Sequence, residues 1–94
     1  MRSSFQLTKY RVLLSQTAVS QLSLLNEHHK KRVKDALAKL EDDPFRRRSG
    51  SDIKKLVTRD EPPLYRLRIG DYRAIYFAVE HEVKVTEIIH RSKG

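Results

Sequence analysis

The chain has 94 residues, in which 20 Lys and Arg outnumber 12 Asp and Glu and give a net charge of +8. It has no cysteine, which excludes a disulfide framework and thiolate chemistry, and no apolar run approaches membrane-spanning length. Residues 1–94 suffice for a single domain with one modest core, in which 1–9 form a loose lead-in without the apolar region of a signal peptide. The basic surplus favours an anionic partner: nucleic acid, an acidic protein or an anionic membrane surface. We predict a cytoplasmic protein.

The first half of the chain predicts a short strand followed by two helices. Residues 10–14 form an apolar strand, and Ser15 or Thr17 caps the first helix. The second helix runs to about Asp43, and Pro44 ends it. Apolar residues recur at helical spacing in both helices, as Ala18, Leu22 and Leu25 in the first and Val33, Ala36, Leu37 and Leu40 in the second. Together the two helices predict an antiparallel hairpin.

The second half changes from the helical period to the period of two that is typical of strands. A polar loop at 46–52 separates the halves. Strands are predicted at 54–58, 64–69, 72–79 and 83–89, joined by short connections. Because strands and helices are segregated, the fold class is α+β: an N-terminal strand, a two-helix hairpin, then a three- to four-stranded mainly antiparallel sheet with the helices on one face.

Apolar and basic residues alternate from Tyr65 to Ile69, which places Arg66 and Arg68 on one face of a strand. Arg73 follows just beyond a Gly-Asp turn. Three permanent cations on rigid backbone stabilise a small protein poorly but suit a bound phosphate. The spacing fits equally well a solvated face whose arginines pair with acidic residues, for which the candidates are Glu80 and Glu87.

Other basic residues extend this candidate site. Lys54 and Lys55 lie just upstream of the arginine strand. An adjacent strand would add one of these lysines to the arginine face, which favours phosphate binding over a solvated face. The run Arg46, Arg47 and Arg48 suits either the backbone of an RNA or a solvated loop.

Histidines and a tyrosine are the remaining candidates for chemistry. His90 and Arg91 follow the last strand, and His is the side chain best suited to proton transfer near neutral pH, with a surface or capping role as the alternative. His28 and His29 are neighbours on a helix and point about 100° apart, so we predict that both are exposed and bind no metal. Tyr76 is the tyrosine expected outside the core, where it would stack on a base.

The segment Tyr65–Arg73, the upstream Asp52–Leu56 and the terminal His90–Arg91 together resemble the RelE/ParE superfamily of toxin–antitoxin toxins. The resemblance covers residues 10–91 in the order strand, helical hairpin, basic loop, strands and His-Arg end. It implies the RelE-like fold of the microbial-ribonuclease type, a cognate antitoxin as partner, and no membrane partner. For the RelE-type branch it also implies cleavage of messenger RNA on the ribosome, without a metal or cofactor.

In the RelE-type reaction a ribose 2′-oxygen attacks the adjacent phosphate, and the resemblance implies a role for each basic residue. Arg73 and Arg91 would clamp the phosphate and stabilise its growing charge. Arg66 and Arg68 would orient the RNA, and His90 is the best candidate for a conventional base. Lys54 would act as a general acid or as another phosphate contact. The charge pattern, apart from the resemblance, makes Lys54, Lys55, Arg46, Arg47 and Arg48 the candidates for RNA binding.

One departure from the family pattern keeps other functions open. Many RelE-type chains have a tyrosine shortly after the terminal arginine, whereas here Ser92, Lys93 and Gly94 follow, so the tyrosine is absent or another residue such as Tyr76 replaces it. The first alternative is a ParE-type toxin that inhibits DNA gyrase without catalysis. The second is a basic nucleic-acid-binding module, which predicts salt-sensitive binding and no product.

An antitoxin needs an accessible surface on the toxin. The resemblance implies a small partner whose extended, often helical segment wraps the toxin. Exposed parts of the helical hairpin around Leu24 and Leu25 are the expected docking positions. Core packing is the alternative for both leucines, and for Leu25 it is the preferred one.

Overall fold

The computed structural model describes residues 9–45, 52–59 and 61–93. In these ranges the elements follow the predicted order of strand, helical hairpin and strands, which confirms the α+β class. They are β1 (Arg11–Leu14), α1 (Gln16–Ser23), α2 (Glu27–Ala38), β2 (Asp52–Lys55), β3 (Tyr65–Ile69), β4 (Tyr72–Val79) and β5 (Glu82–His90), with short 3₁₀ turns at Lys39–Glu41 and Arg91–Lys93. In the ranges given, no helix has the length and apolar character needed to cross a bilayer. The predicted lead-in at 1–9 falls almost wholly outside them.

The strands form one mixed sheet in the order β1-β5-β4-β3-β2. The four C-terminal strands are antiparallel to their neighbours, as predicted, while β1 joins the sheet as a fifth strand parallel to β5. A parallel pair needs a long crossover, which both helices and the other three strands supply here. The first and the last strand in chain order, β1 and β5, are therefore neighbours in the sheet.

Side-chain caps start both helices. Ser15 Oγ accepts a hydrogen bond from the Ala18 amide at 3.0 Å, so Ser15 rather than Thr17 is the cap of α1. Asn26 Oδ1 accepts from the His29 amide at 2.9 Å and starts α2 in the same way. Satisfying an otherwise unpaired amide in the first turn stabilises each helix by ~1 kcal/mol. The polar residues after α1 thus include Asn26, the N-cap of α2.

The end of α2 and the position of β2 differ from the sequence prediction. The α-helix ends at Ala38 instead of near Asp43, and a tighter 3₁₀ turn follows, which carries the buried Leu40. Strand β2 was predicted at 54–58 but covers Asp52–Lys55. Two prolines precede β3, and proline has no amide to donate to a sheet, so the β2–β3 ladder cannot run far beyond Lys55.

Both helices cover the same face of the sheet and enclose the core. The buried residues there are Ala18, Leu22, Val33, Leu37, Leu40, Leu67, Ile69, Ala74, Tyr76, Val83, Val85 and Ile88. Tyr76 is 0% exposed, stacks against Tyr65, and its hydroxyl donates to the Pro44 carbonyl at 2.7 Å. The expectation that Tyr76 lies outside the core, and that it could replace a substrate-stacking tyrosine, is therefore wrong. Its burial, with Tyr65 and Asp43 nearby, raises its pKa.

Candidate phosphate-binding site

The face of the sheet opposite the helices carries the three predicted arginines. Leu67 and Ile69 are buried under the helices, so the alternating Arg66 and Arg68 lie on the opposite face. On β4, Arg73 is paired directly with Arg68 across the ladder. We call this side of the sheet, defined by Arg66, Arg68 and Arg73, the arginine face.

Strand β2 adds one lysine to the arginine face. Lys54 pairs with Arg66 across the β2–β3 ladder, and Asp52 pairs with Arg68. Lys55 pairs with Tyr65 and so belongs to the other face. Of the two lysines singled out in the sequence, Lys54 is therefore placed with the arginines and Lys55 is not.

Like charges lie opposite each other at two places on this face, and Asp52, opposite Arg68, is a carboxylate on the same face. Two cross-strand pairs on this face join cations, Arg68 with Arg73 and Lys54 with Arg66, and like charges directly opposite destabilise a sheet. None of the three arginines forms an ion pair with another described residue. The Nε of Arg66 is buried and has no hydrogen-bond acceptor among the described atoms. A bound anion would satisfy these groups.

The alternative interpretation of this face required pairs between the arginines and glutamates. Glu80 lies in the turn between β4 and β5 with a φ of 57°, far along β4 from Arg73. Glu87 does share the arginine face, but within the described part of the chain it forms no ion pair. These two glutamates therefore do not neutralise the arginine face.

A β-bulge in β5 explains why Glu87 lies on this face. Ile75 pairs with Glu87 but the next residue, Tyr76, pairs with Val85, so Thr86 is an extra residue. The bulge keeps Val83, Val85 and Ile88 all in the core. Sequence reasoning weighed Glu87 only as an ion-pair partner, and the uneven spacing of these three apolar residues was the signal that it missed.

The same bulge puts His90 on the face covered by the helices. His90 pairs with Tyr72, and their rings meet edge to face at 5.2 Å between centroids. Its Nδ1 lies 2.8 Å from Ser92 Oγ. His90 is at the end of the last strand, as predicted, but the structure does not bring it to the arginine face.

Arg91 lies at the end of the sheet where the hairpin of β3 and β4 turns. Its amide donates to the Asp71 carbonyl at 2.8 Å, and its Nε is 3.7 Å from Asp71 Oδ1. Asp71 is two residues before Arg73. The ion pair is more than half exposed on both sides, so it contributes little and an incoming anion can compete for Arg91.

The other predicted candidates have more varied surroundings. Arg46, Arg47 and Arg48 lie outside the described residues. His28 is exposed, as predicted, but His29 is half-buried and packs on Tyr72 at 5.3 Å between ring centroids. The prediction that both histidines are exposed is thus wrong for His29, because the start of α2 rests on the start of β4.

The expected docking positions lie in an apolar groove beside α1. The groove has a volume of about 380 Å³ and is lined by Gln21, Leu24, Leu25, Tyr72, Ile88, Ile89 and His90. Leu24 is 85% exposed, whereas Leu25 packs partly against the core. The structure therefore leaves Leu24 accessible and gives Leu25 the packing role that was preferred for it.

Comparison with known proteins identifies the family to which the chain belongs. The family model described as ParE toxin of type II toxin–antitoxin systems, parDE, matches residues 9–94. No curated protein matches the sequence. A solved RelE–RelB complex from Pyrococcus horikoshii OT3 has a chain that is 32% identical, with a TM-score of 0.76 over 92% of this chain and 99% of that one.

Two further solved structures support the same fold. The RelBE2 complex from Mycobacterium tuberculosis matches with 25% identity and a TM-score of 0.70, over 88% of this chain and 99% of that one. The Escherichia coli DinJ–YafQ complex matches with 11% identity and a TM-score of 0.72, over 90% and 96%, and shows similarity of fold alone. The architecture is that of a RelE-like toxin domain. The chain belongs to the ParE toxin family within the RelE/ParE superfamily of type II toxins.

Proposed function

We propose that this toxin inhibits translation by cutting messenger RNA in the ribosome, as a metal-independent endoribonuclease. The observation that supports the proposal is the arginine face, where Arg66, Arg68 and Arg73 lie together with no ion pair to a described residue. The two cation–cation pairs of this face destabilise the sheet, and a bound anion relieves that repulsion. An RNA phosphodiester supplies that anion, and arginine binds it through two parallel hydrogen bonds.

The chemistry requires charge stabilisation more than any other contribution. The ribose 2′-oxygen forms a bond to phosphorus while the bond from phosphorus to the 5′-oxygen breaks, which leaves a 2′,3′-cyclic phosphate. Arg73 and Arg91 hold the phosphate oxygens, on which negative charge grows in the transition state. Arg66, Arg68 and Lys54 orient the strand. The 2′-hydroxyl proton passes to a base and the leaving 5′-oxygen takes up a proton.

The proton acceptor is a residue other than an arginine, because a guanidinium has no free lone pair to accept a proton. Two side chains compete for it. His90 is the acceptor that the sequence suggested, but it lies on the helix-covered face. Glu87 is a carboxylate on the arginine face, diagonal to Arg73 and two residues before Ile89, which is opposite Arg73. The variants Glu87→Gln and His90→Gln separate these two candidates.

A cognate antitoxin would restrain this activity in the cytoplasm. The solved relatives are RelE–RelB and RelBE2 complexes, in which a toxin chain of this fold is bound to its antitoxin. Such a partner can act on either of two separate surfaces. One is the arginine face, which carries Arg73, and the other is the apolar groove, which carries Leu24. Blocking the first would prevent RNA binding directly.

The test is messenger RNA cleavage on programmed ribosomes by the purified chain and its Arg73→Ala and Arg91→Ala variants. Each variant should cut about 100-fold more slowly or worse, since each loses a cation that stabilises the transition state. Arg59→Ala is the matched control, because Arg59 is exposed and lies outside the site. Arg73→Ala should unfold at the same temperature or higher, since it relieves a like-charge pair. A folded Arg73→Ala protein with full activity would refute the proposed site.

The gyrase-inhibitor alternative is favoured by one specific finding, the description of the matching family model as the ParE toxin. A gyrase inhibitor needs no phosphate chemistry at the arginine face. Wild-type protein that arrests growth and blocks DNA supercoiling by gyrase, but makes no cuts on ribosomes, would establish that alternative. Binding to RNA with no product and no toxicity would instead indicate a nucleic-acid-binding module.

A further inference from the structure

A basic groove adjoins the arginine face and shares Arg68 with it, and its other lining residues are not part of the site described above. It has a volume of about 230 Å³ and lies between α2 with its 3₁₀ extension and the end of β3. Its charged lining residues are Arg32, Asp35, Lys39 and Arg68, and Gly70 lies at the hairpin end. Among the residues that the structure describes, no aromatic side chain lines the groove.

The groove is positive, and its carboxylate does not neutralise its cations. Asp35, the single carboxylate in the lining, is already bound at 3.1 Å by Lys31 on the outer side of the helix. Arg32 forms no ion pair with any residue in the described ranges. Arg32 and Lys39 are seven residues apart, about two helical turns, so both belong to the same side of α2.

Gly70 allows Arg32 to lie against the hairpin turn. Its φ is +59°, a conformation that is strained for other residues. A Cβ at this position would lie 3.2 Å and 3.3 Å from the two terminal nitrogens of Arg32. The absence of a side chain therefore lets the guanidinium of Arg32 rest on the backbone at the end of the sheet.

The groove is continuous with the arginine face. Arg68 lines the groove and is also the cross-strand partner of Arg73. Arg91 contacts Asp71, which is the next residue after Gly70. Cations therefore continue from the arginine face, around the end of the β3–β4 hairpin, to α2.

We infer that this groove is a second phosphate-binding subsite, which holds the sugar–phosphate backbone of the same RNA strand at a nucleotide outside the cleaved phosphodiester. The inference rests on the proposed RNA-cleaving function. Because the lining offers cations and no aromatic ring, the subsite contributes affinity that depends on salt and not on base sequence. It explains why a cation on the helix layer lacks an acidic partner.

The experiment measures binding of single-stranded RNA as a function of salt concentration. The probes are a trinucleotide and a dodecanucleotide, both 2′-O-methylated so that they cannot be cut. Arg32→Glu should lower affinity for the dodecanucleotide, with the slope of log K against log salt smaller by about 1. Affinity for the trinucleotide, which reaches only the arginine face, should stay unchanged. Arg32→Gln should show the same trend to a smaller degree.

Two further variants make the test specific to the groove. Lys34→Glu makes the same change in charge on the same helix, but Lys34 lines a different groove with Val12 and Glu41. It should leave the salt slope as in the wild type. Asp35→Asn removes the one carboxylate of the groove and should raise affinity for the dodecanucleotide only.

The failures of the two proposals can be told apart. Equal losses for Arg32→Glu and Lys34→Glu would show a diffuse charge effect and overturn the subsite. So would a loss that is as large for the trinucleotide, or a loss confined to antitoxin binding. If Arg73→Ala abolishes cleavage while Arg32→Glu binds the dodecanucleotide normally, only the subsite fails. If wild-type protein neither binds nor cuts RNA, the proposed function fails and the subsite with it.

Discussion

Arg68 and Arg73 are placed opposite each other on neighbouring strands, and Lys54 opposes Arg66 in the next pair. Each pair costs the free sheet a few tenths of a kcal/mol or more, and the nearby Glu87 does not neutralise them by an ion pair within the described chain. Such a cost in free energy is tolerated where the binding of a ligand of opposite charge offsets it. At the residue scale, the unfavourable pairs are therefore the best indication of what the face binds.

Glu87 and His90 can be compared by removing the charge or basicity of each without changing its size much. If Glu87 accepts the proton, Glu87→Gln should slow single-turnover cleavage about 100-fold while RNA binding stays equal or tightens, since a negative charge leaves the site. His90→Gln should then have little effect. The reverse result would assign proton transfer to His90 and require its ring to leave Tyr72. Rates measured across pH show which variant loses its pH dependence.

Tyr76 makes the stability of the fold sensitive to alkaline pH. Burial raises its pKa above the usual value near 10. Above about pH 10 the unfolded chain releases this proton while the folded chain retains it, so the free energy of unfolding falls as pH rises. Tyr76→Phe should remove much of that fall. At neutral pH the same variant should lose about 1 kcal/mol, because the Pro44 carbonyl loses its hydrogen bond. Urea unfolding at neutral and alkaline pH checks both effects.

The elements show which parts of the structure can be predicted from local sequence. Alternation from Tyr65 to Ile69 placed Arg66 and Arg68 correctly because β3 is regular and Leu67 and Ile69 fix its inner face. The same reasoning fails in β5. A strict period of two counted from Val83 would put His90 on the arginine face, and the extra residue at Thr86 reverses the two faces after it.

Other features depend on contacts that no local pattern reveals. The parallel pairing of β1 with β5 joins segments about 70 residues apart, and an apolar run carries no information about its partner. The sequence predicts Tyr76 on the surface, but its hydroxyl donates to the Pro44 carbonyl, which is buried. The groove at Arg32 depends on Gly70, which in the sequence is simply a turn residue.

Ser15 links the first helix to the bulged strand. Its hydroxyl oxygen accepts from the Ala18 amide and its hydroxyl proton is donated to the Thr86 carbonyl at 2.8 Å. Ser15→Ala should therefore destabilise the protein by about 2 kcal/mol, because it removes a cap and leaves a bulge carbonyl unpaired. Asn26→Ala removes only a cap, on α2, and should cost about half as much. Thr17→Ala is the neutral control, and an equal loss in all three would contradict this account.

At the scale of the whole molecule, the RNA-binding and antitoxin-binding surfaces are expected to be separable. Leu24 is 85% exposed in the apolar groove, on the side of the sheet away from the arginine face. Leu24→Glu should weaken antitoxin binding about 10-fold or more, because burying a carboxylate in an apolar contact is costly. It should leave ribosomal cleavage intact. Val19→Glu, at an exposed position of the same helix outside the groove, is the control. Titration calorimetry with the antitoxin and the cleavage assay provide the two measurements.

The pairing of β1 with β5 also bears on how the chain is made. Synthesis starts at the N-terminus, so β1 has no strand to pair with until every other strand described here has been produced. Arg91, which follows β5, is translated later still. Because such long-range pairing forms slowly and needs β5, the sheet of the nascent chain stays incomplete until β5 has been produced. The order of strands thus makes the completion of the sheet depend on the last strand to be synthesised.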